Sequence, residues 1–280
     1  MTNFINALIN YSFMQYAVLA GVLASIACGI SGSYVVTKKI SLIAGGISHT
    51  ALAGVGFVLY LNKVHGTNIP PIYGAMAVAL MSAIIIGLVD LYSEYDTDTI
   101  ISVMWSLGMA IGVIFISITP GYSTDLMSYL FGNILMVTKQ DLYILLIINA
   151  VVILSGIIFY NKLTAICFDE DFARVKGLNI TFYYLLLLCI TALTIVALIQ
   201  VVGLILVIAL LTMPAAIAKQ YAKSMRQMMI IAVILGVVFT TSGLIISYEP
   251  DLPSGATIIV ITSVFFLLSM IHKKYLFFKS

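Results

Sequence analysis

The stretch 41–61 reads SLIAGGISHTALAGVGFVLYL, 21 residues without one Asp, Glu, Lys or Arg. At a rise of about 1.5 Å per residue it forms a helix of roughly 30 Å, the thickness of the hydrocarbon core of a membrane. Its one ionisable side chain is His49. A polar group inside a membrane span usually faces protein or water rather than lipid, so the stretch predicts a membrane helix with a candidate functional residue.

One face of this helix carries small residues around His49, with Ser48 beside it as a second polar group. The small residues that share the face of His49 are Gly45, Gly46, Ala53 and Gly56. Such a face allows either a very close neighbouring helix or an open path beside the imidazole. Two interpretations follow: these residues line a pathway, or His49 only hydrogen-bonds a neighbouring helix.

The rest of the chain has the same character. Of its 280 residues 62% are hydrophobic and 9% are charged, against about 25% charged in an average soluble domain. We predict an all-α polytopic membrane protein with about nine transmembrane helices. The expected spans are about 15–36, 41–61, 72–92, 99–119, 142–160, 183–199, 201–218, 228–247 and 257–271.

Three segments lie outside these spans. Residues 1–12 are weakly amphipathic and are expected along the membrane interface. Residues 125–136 are short for a span and are expected to form a helix on the surface or dipping partway in. The longest polar stretch is 161–179, where 169–176 has acids early and bases late, which suits a helix dipole, and Gly177 follows as a cap.

The basic residues indicate the orientation. If Lys38 and Lys39 are cytoplasmic, nine spans place eleven of the 13 Lys and Arg residues on that side. Those eleven are Lys38, Lys39, Lys162, Arg174, Lys176, Lys219, Lys223, Arg226, Lys273, Lys274 and Lys279. The sequence therefore predicts a cytoplasmic C-terminus.

Several kinds of chemistry are missing from the sequence. It contains no GxxxxGK[ST] loop to hold the phosphates of ATP, and no HExxH or GxSxG motif. Nearly every carboxylate falls in a loop, whereas proton-driven carriers usually need buried ones. We therefore expect no enzyme but a pore driven by another subunit. The three cysteines form no CxxC pair, and Trp105 is expected to be a packing residue.

Six segments in order resemble the zinc/manganese group of metal-ion ABC importer permeases, the ABC-3 family. They are 41–43, 47–49, 52–55, 125–132, 168–178 and 202–216. The resemblance implies a type II ABC importer-like fold in which 1–280 form one permease domain. It also implies that 161–179 is a cytoplasmic coupling loop, in which Asp169, Phe172, Arg174 and Gly177 contact the ATPase.

The resemblance further implies a permease homodimer in the cell membrane with a pathway on its two-fold axis. The implied partners are two copies of an ATPase and an extracytoplasmic metal-binding protein, with no nucleic acid. No cofactor is expected to be tightly bound, since the divalent metal ion is the cargo.

Two departures from the family bear on the metal. Many members have Gly-Asp where this chain has Ala44-Gly45, and Leu-Pro-Gly where it has Leu52-Ala53-Gly54. The missing acid leaves His49 as the main candidate metal contact. Because imidazole suits zinc and carboxylate oxygen suits manganese, we expect zinc first and manganese next.

Two other classes of function stay open. A single-chain secondary carrier for a cation or small amine predicts inverted repeats with interrupted helices, and no such repeat is visible. An assembly or scaffold subunit predicts no dependence on ions.

Overall fold

The computed structural model describes residues 2–94, 96–120, 132 and 134–277. Within these residues the chain forms twelve α-helices and one 3-10 turn, and no strand. The first six helices are α1 (Thr2–Asn10), α2 (Ser12–Lys38), α3 (Ser41–Val64), α4 (Pro71–Tyr92), α5 (Thr97–Ile118) and α6 (Lys139–Ile158). The others are α7 (Tyr160–Phe168), α8 (Glu170–Val175), α9 (Ile180–Val202), α10 (Leu204–Tyr221), α11 (Met225–Tyr248) and α12 (Ser254–Phe277).

Eight of the described helices are long and apolar enough to cross a membrane: α2, α3, α4, α5, α6, α9, α11 and α12. Helix α10 is shorter, with Val207–Tyr221 as its apolar part. Each of the nine predicted spans thus has its helix, with ends shifted by a few residues. Polar N-caps fix where three of these helices begin: Thr138 and Asp141 form a capping box before α6, and Asn179 and Ser224 cap α9 and α11.

Helices α9 and α10 correspond to two predicted spans that almost touch in sequence. Only Gly203 separates them, at a φ of 80° that favours glycine. Thr181, near the start of α9, hydrogen-bonds Tyr92 at the end of α4. Near the end of α10, Lys219 donates to the carbonyl of Val36 at 3.2 Å. Because Lys38 also contacts the ring of Tyr184 on α9, these points lie at one end of the bundle, and the pair leaves that end and returns to it.

Helix α3 is the most buried of the candidate spans, and it packs against α4 and α5. Glycines bring the helices close. A Cβ added at Gly54 would lie 2.0 Å from the carbonyl oxygen of Gly74 on α4. Inside a membrane, such backbone proximity is a main source of helix association, because lipid is as apolar as the side chains.

Two segments are predicted at the membrane surface, and the structure describes nearly all of the first and only the end of the second. Helix α1 buries Phe4 and Ala7 and exposes Ile5 and Ile9, with the Phe4 ring edge-on to Tyr248. Its placement along a membrane interface remains a prediction. The expected helix at 125–136 falls largely outside the described residues, apart from a 3-10 turn at Ile134–Met136.

Candidate functional site

Helix α5 lies along the face of α3 that carries His49. Two glycines four residues apart, Gly108 and Gly112, let the two backbones meet. A Cβ added at Gly108 would lie 2.5 Å from the Cα of Thr50, and one added at Gly112 would lie 2.7 Å from the carbonyl oxygen of Leu52. This close packing positions the preceding turn of α5, which carries Trp105, directly over His49.

His49 is held by an aromatic stack. The rings of His49 and Trp105 have centroids 4.0 Å apart and planes 13° apart. The His49 side chain is buried, and its Nδ1 has no hydrogen-bond partner in the part of the chain that the structure describes. Leaving a buried polar atom unpaired costs about 1–3 kcal/mol, so such an atom calls for an explanation. A neutral imidazole nitrogen is a common metal ligand.

The small residues of α3 meet neighbouring helices. A Cβ added at Gly46 would lie 2.8 Å from Ile101, and one added at Gly56 would lie 2.6 Å from the carbonyl oxygen of Gly112. At Gly45 it would make ordinary contacts of 3.5 Å with Trp105 and Ile208. Of the two arrangements that the small residues allow, the structure therefore has the close neighbouring helix.

The remaining residues of this face are also enclosed. Ser48 donates to the carbonyl of Gly45 in its own helix at 2.7 Å, and Ala53 is buried. A role of these residues in lining a pathway remains a prediction.

Helix α8 forms within the predicted coupling segment, and its caps explain two of the four residues proposed there. The Asp169 carboxylate accepts a hydrogen bond from the backbone N–H of Phe172 at 2.9 Å. At the other end Gly177 has a φ of 75°, and Leu178 and Gly177 donate to the carbonyls of Ala173 and Arg174 in a Schellman arrangement. The segment is more helical than predicted, since α7 continues almost directly from α6.

The outer face of α8 is unusually apolar for a charged segment. Phe172 is 51% exposed and Val175 is 87% exposed, and Phe168 just before the helix is exposed as well. Arg174 is also exposed, and Lys176 lies over the Phe172 ring at 4.6 Å. Exposed apolar side chains rimmed by charges are typical of protein–protein contacts.

A polar network joins α8 to four spans. Lys38 at the end of α2 forms an ion pair with Glu170, and its Nζ lies 5.7 Å from the centre of the Tyr184 ring on α9. The Tyr184 hydroxyl donates to the carboxylate of Asp90 on α4. Thr97, the first residue of α5, donates to the same carboxylate at 2.8 Å. The two sets of predicted residues, around His49 and on α8, therefore lie on separate helices that are both linked to α5.

The sequence interpretation missed Trp105 as a partner of His49. Trp105 was expected only to pack, and it does pack, but on the candidate residue itself. The available signal was the spacing of Gly108 and Gly112, three and seven residues after Trp105, which marks a helix face that meets another backbone. The described residues contain no group of three or more His, Cys, Asp or Glu that could hold a metal ion.

Comparison with known proteins gives a consistent picture. The profile of the ABC 3 transport family matches residues 10–273. A "Probable metal transport system membrane protein" of Chlamydia trachomatis is 42% identical over 258 residues, covering 92% of this chain and 88% of the relative. The "Manganese transport system membrane protein MntC" of Listeria monocytogenes is 35% identical over 269 residues, covering 96% of this chain and 93% of the relative.

A solved structure agrees. A chain of PsaBC from Streptococcus pneumoniae, in complex with a Fab, superposes with a TM-score of 0.87 at 33% identity, covering 100% of this chain and 99% of that one. The chain belongs to the ABC 3 transport family, a family of membrane permease subunits rather than enzymes. The resemblance seen in the sequence is confirmed.

Proposed function

We propose that this chain is the membrane-spanning permease subunit of an ABC importer that moves a divalent transition metal ion into the cell, powered by a separate ATPase. One observation carries the proposal: in α3, the most buried of the described candidate spans, the Nδ1 of His49 is buried and has no hydrogen-bond partner among the described residues. The names of the relatives from Chlamydia trachomatis and Listeria monocytogenes, a metal and a manganese transport system membrane protein, support a metal as the cargo.

Zinc is the proposed ion. Helix α3 offers an imidazole and no carboxylate, with Gly45 one turn before His49. Nitrogen ligands suit zinc, whereas carboxylate and carbonyl oxygens suit manganese. Manganese is the second candidate, because the Listeria monocytogenes relative is named for it. A permease that passes ions through brief contacts leaves part of the selection to the binding protein.

The proposed assembly contains two copies of this chain, two ATPase subunits and an extracytoplasmic metal-binding protein. Helix α8 docks on the ATPase through Phe172 and Val175, both exposed. The basic side chains of Lys38 and Lys219 lie at the same end of the bundle as Glu170, which supports a cytoplasmic location for that end. The C-terminus is then cytoplasmic, and the chain lies in the cell membrane.

Transport in reconstituted vesicles tests the proposal. The permease is assembled with its ATPase and binding protein, and uptake of radioactive zinc and manganese is measured alone and in competition. We expect ATP-dependent zinc uptake that manganese inhibits only weakly. Uptake without the ATPase, driven by an ion gradient, would instead identify a secondary carrier. No metal uptake under any condition would identify an assembly or scaffold subunit.

A further inference from the structure

The stack between His49 and Trp105 does more than fill space, because no hydrogen bond to Nδ1 from the described residues orients the imidazole. A histidine that binds a metal usually donates its second ring N–H to a carboxylate, a carbonyl or water, which fixes the direction of the ring. The Nδ1 of His49 has no such partner among the described residues. Its ring plane is instead matched by the indole of Trp105, 13° away from parallel.

Trp105 also closes the space beside His49. One turn before the histidine, the missing side chain of Gly45 leaves room that Trp105 fills from α5 and Ile208 fills from α10, each 3.5 Å from where a Cβ would lie. His49 itself is only 9% exposed. A cation therefore reaches the buried Nδ1 only if a wall of the site moves.

Of these two walls, Trp105 stands on the helix with fewer neighbours, because α5 packs mainly against α3 and less against α4. On the side of α5 away from α3, Val103 is 58% exposed and Leu107 is 53% exposed within the single chain, so no other described helix covers them. Ile208, in contrast, lies on α10, which packs against α2, α11 and α12 as well as α3.

From these observations we infer that Trp105 is a positioning residue and a movable lid for His49. In the conformation seen here it stacks on the imidazole, whose Nδ1 is buried. Movement of Trp105 away from α3 opens the stack and exposes that nitrogen. The inference rests on the proposed role of His49 as a metal contact. It adds that access to this contact is controlled from α5.

Accessibility of position 49 tests the lid directly. In His49→Cys, with the half-buried Cys189 replaced by Ser, the rate of modification by a small charged methanethiosulfonate is compared between chains with Trp105 and with Trp105→Ala. If the open state is populated at about 0.1–10%, labelling with Trp105 in place is at least about tenfold slower than labelling of a permanently open site. We expect Trp105→Ala to remove this protection. Trp105→Phe, which keeps an aromatic ring, gives an intermediate rate. Leu107→Ala, an exposed position on the same helix, is the matched control and leaves the rate unchanged.

Equal labelling rates with Trp105 and Trp105→Ala overturn the lid, whatever uptake shows. Conversely, suppose that the labelling rate depends on Trp105 while His49→Ala keeps full uptake. The proposed function of His49 then fails, but the role of Trp105 as the cover over position 49 stands. The two failures are therefore distinguishable.

Trp105 is the single tryptophan of the sequence, so the tryptophan fluorescence of the unsubstituted chain reports on the lid. Adding zinc to the purified full chain should change the emission, and the change should be absent in His49→Ala. A control chain with Val103→Trp and Trp105→Phe, which moves the indole to the exposed side of α5, should not respond. Identical zinc responses in the parental chain and His49→Ala, or a parental chain that takes up zinc through His49 without any change in emission, contradict the lid.

Discussion

Lys38, the last residue of α2, forms an ion pair with Glu170, the first residue of α8. The pair connects the helix proposed to meet the ATPase with one of the long spans of the bundle. Its side chains are 18% and 36% exposed, so the attraction is partly screened by water. Exposed pairs of this kind contribute about 0–1 kcal/mol, so we assign this one to the orientation of α8 rather than to stability.

Reversal of the charge at Glu170 tests that assignment. We expect Glu170→Lys to leave thermal stability almost unchanged and to lower the amount of metal transported per ATP hydrolysed, because α8 loses its orientation. The double variant Lys38→Glu with Glu170→Lys should restore most of the coupling. Lys38→Glu should not rescue Asp171→Lys, an equal charge change at the next residue. If the swapped pair couples no better than Glu170→Lys alone, the pair does not orient α8.

The outer face of α8 leads to a second prediction. Replacing Phe172 and Arg174 together with Ala should release the ATPase or uncouple its hydrolysis from transport, while the permease stays folded because both side chains are exposed. Copurification of the ATPase and transport in vesicles measure the effect, and the elution volume of the purified permease checks the fold. A double variant that binds the ATPase and transports at the parental rate would show that α8 is not the docking helix.

Local features of the fold could be read from the sequence, and pairings between distant segments could not. The helix Ser41–Val64 follows from the uninterrupted apolar stretch 41–61, and the helix at 170–175 follows from its early acids, its late bases and the cap at Gly177. The stack of Trp105 on His49 depends on where Gly108 and Gly112 let α5 meet α3. The place where α5 meets α3 is set by complementary shapes on the two helices. The residue pattern of either helix alone does not show it.

The glycines between α3 and α5 should be sensitive to added volume. Gly112→Leu has no room, since even a Cβ would lie 2.7 Å from the backbone of Leu52, whereas Gly45→Ala adds only ordinary contacts at 3.5 Å. Overpacking typically costs about 1–3 kcal/mol, and backbone neighbours cannot rotate away. Thermal unfolding in detergent should therefore show a clear loss for Gly112→Leu and almost none for Gly45→Ala. Equal stability of the two variants would contradict the packing of α5 on α3.

Labelling of single cysteines tests the topology. Cysteines at positions 65 and 251 should react with an impermeant reagent in intact cells, and a cysteine at 176 should not. The half-buried Cys189 is replaced by Ser, and the other two native thiols interfere little because Cys28 and Cys167 are buried. Burial also raises the pKa of Cys167 to about 12, so its thiol stays protonated at the pH of labelling. Labelling of position 176 from outside would overturn the orientation.

Uptake by His49 variants tests the central claim most directly. Vesicles containing the permease, its ATPase and its binding protein are compared for zinc uptake at equal protein level, with the parental chain, His49→Ala and His49→Gln. Loss of groups that only support a metal ligand costs about 10–100-fold in affinity or activity, so loss of the contact itself should lower uptake at least tenfold. His49→Gln, which keeps hydrogen bonding but loses the imidazole, should not restore it. Full zinc uptake by His49→Ala would contradict the account.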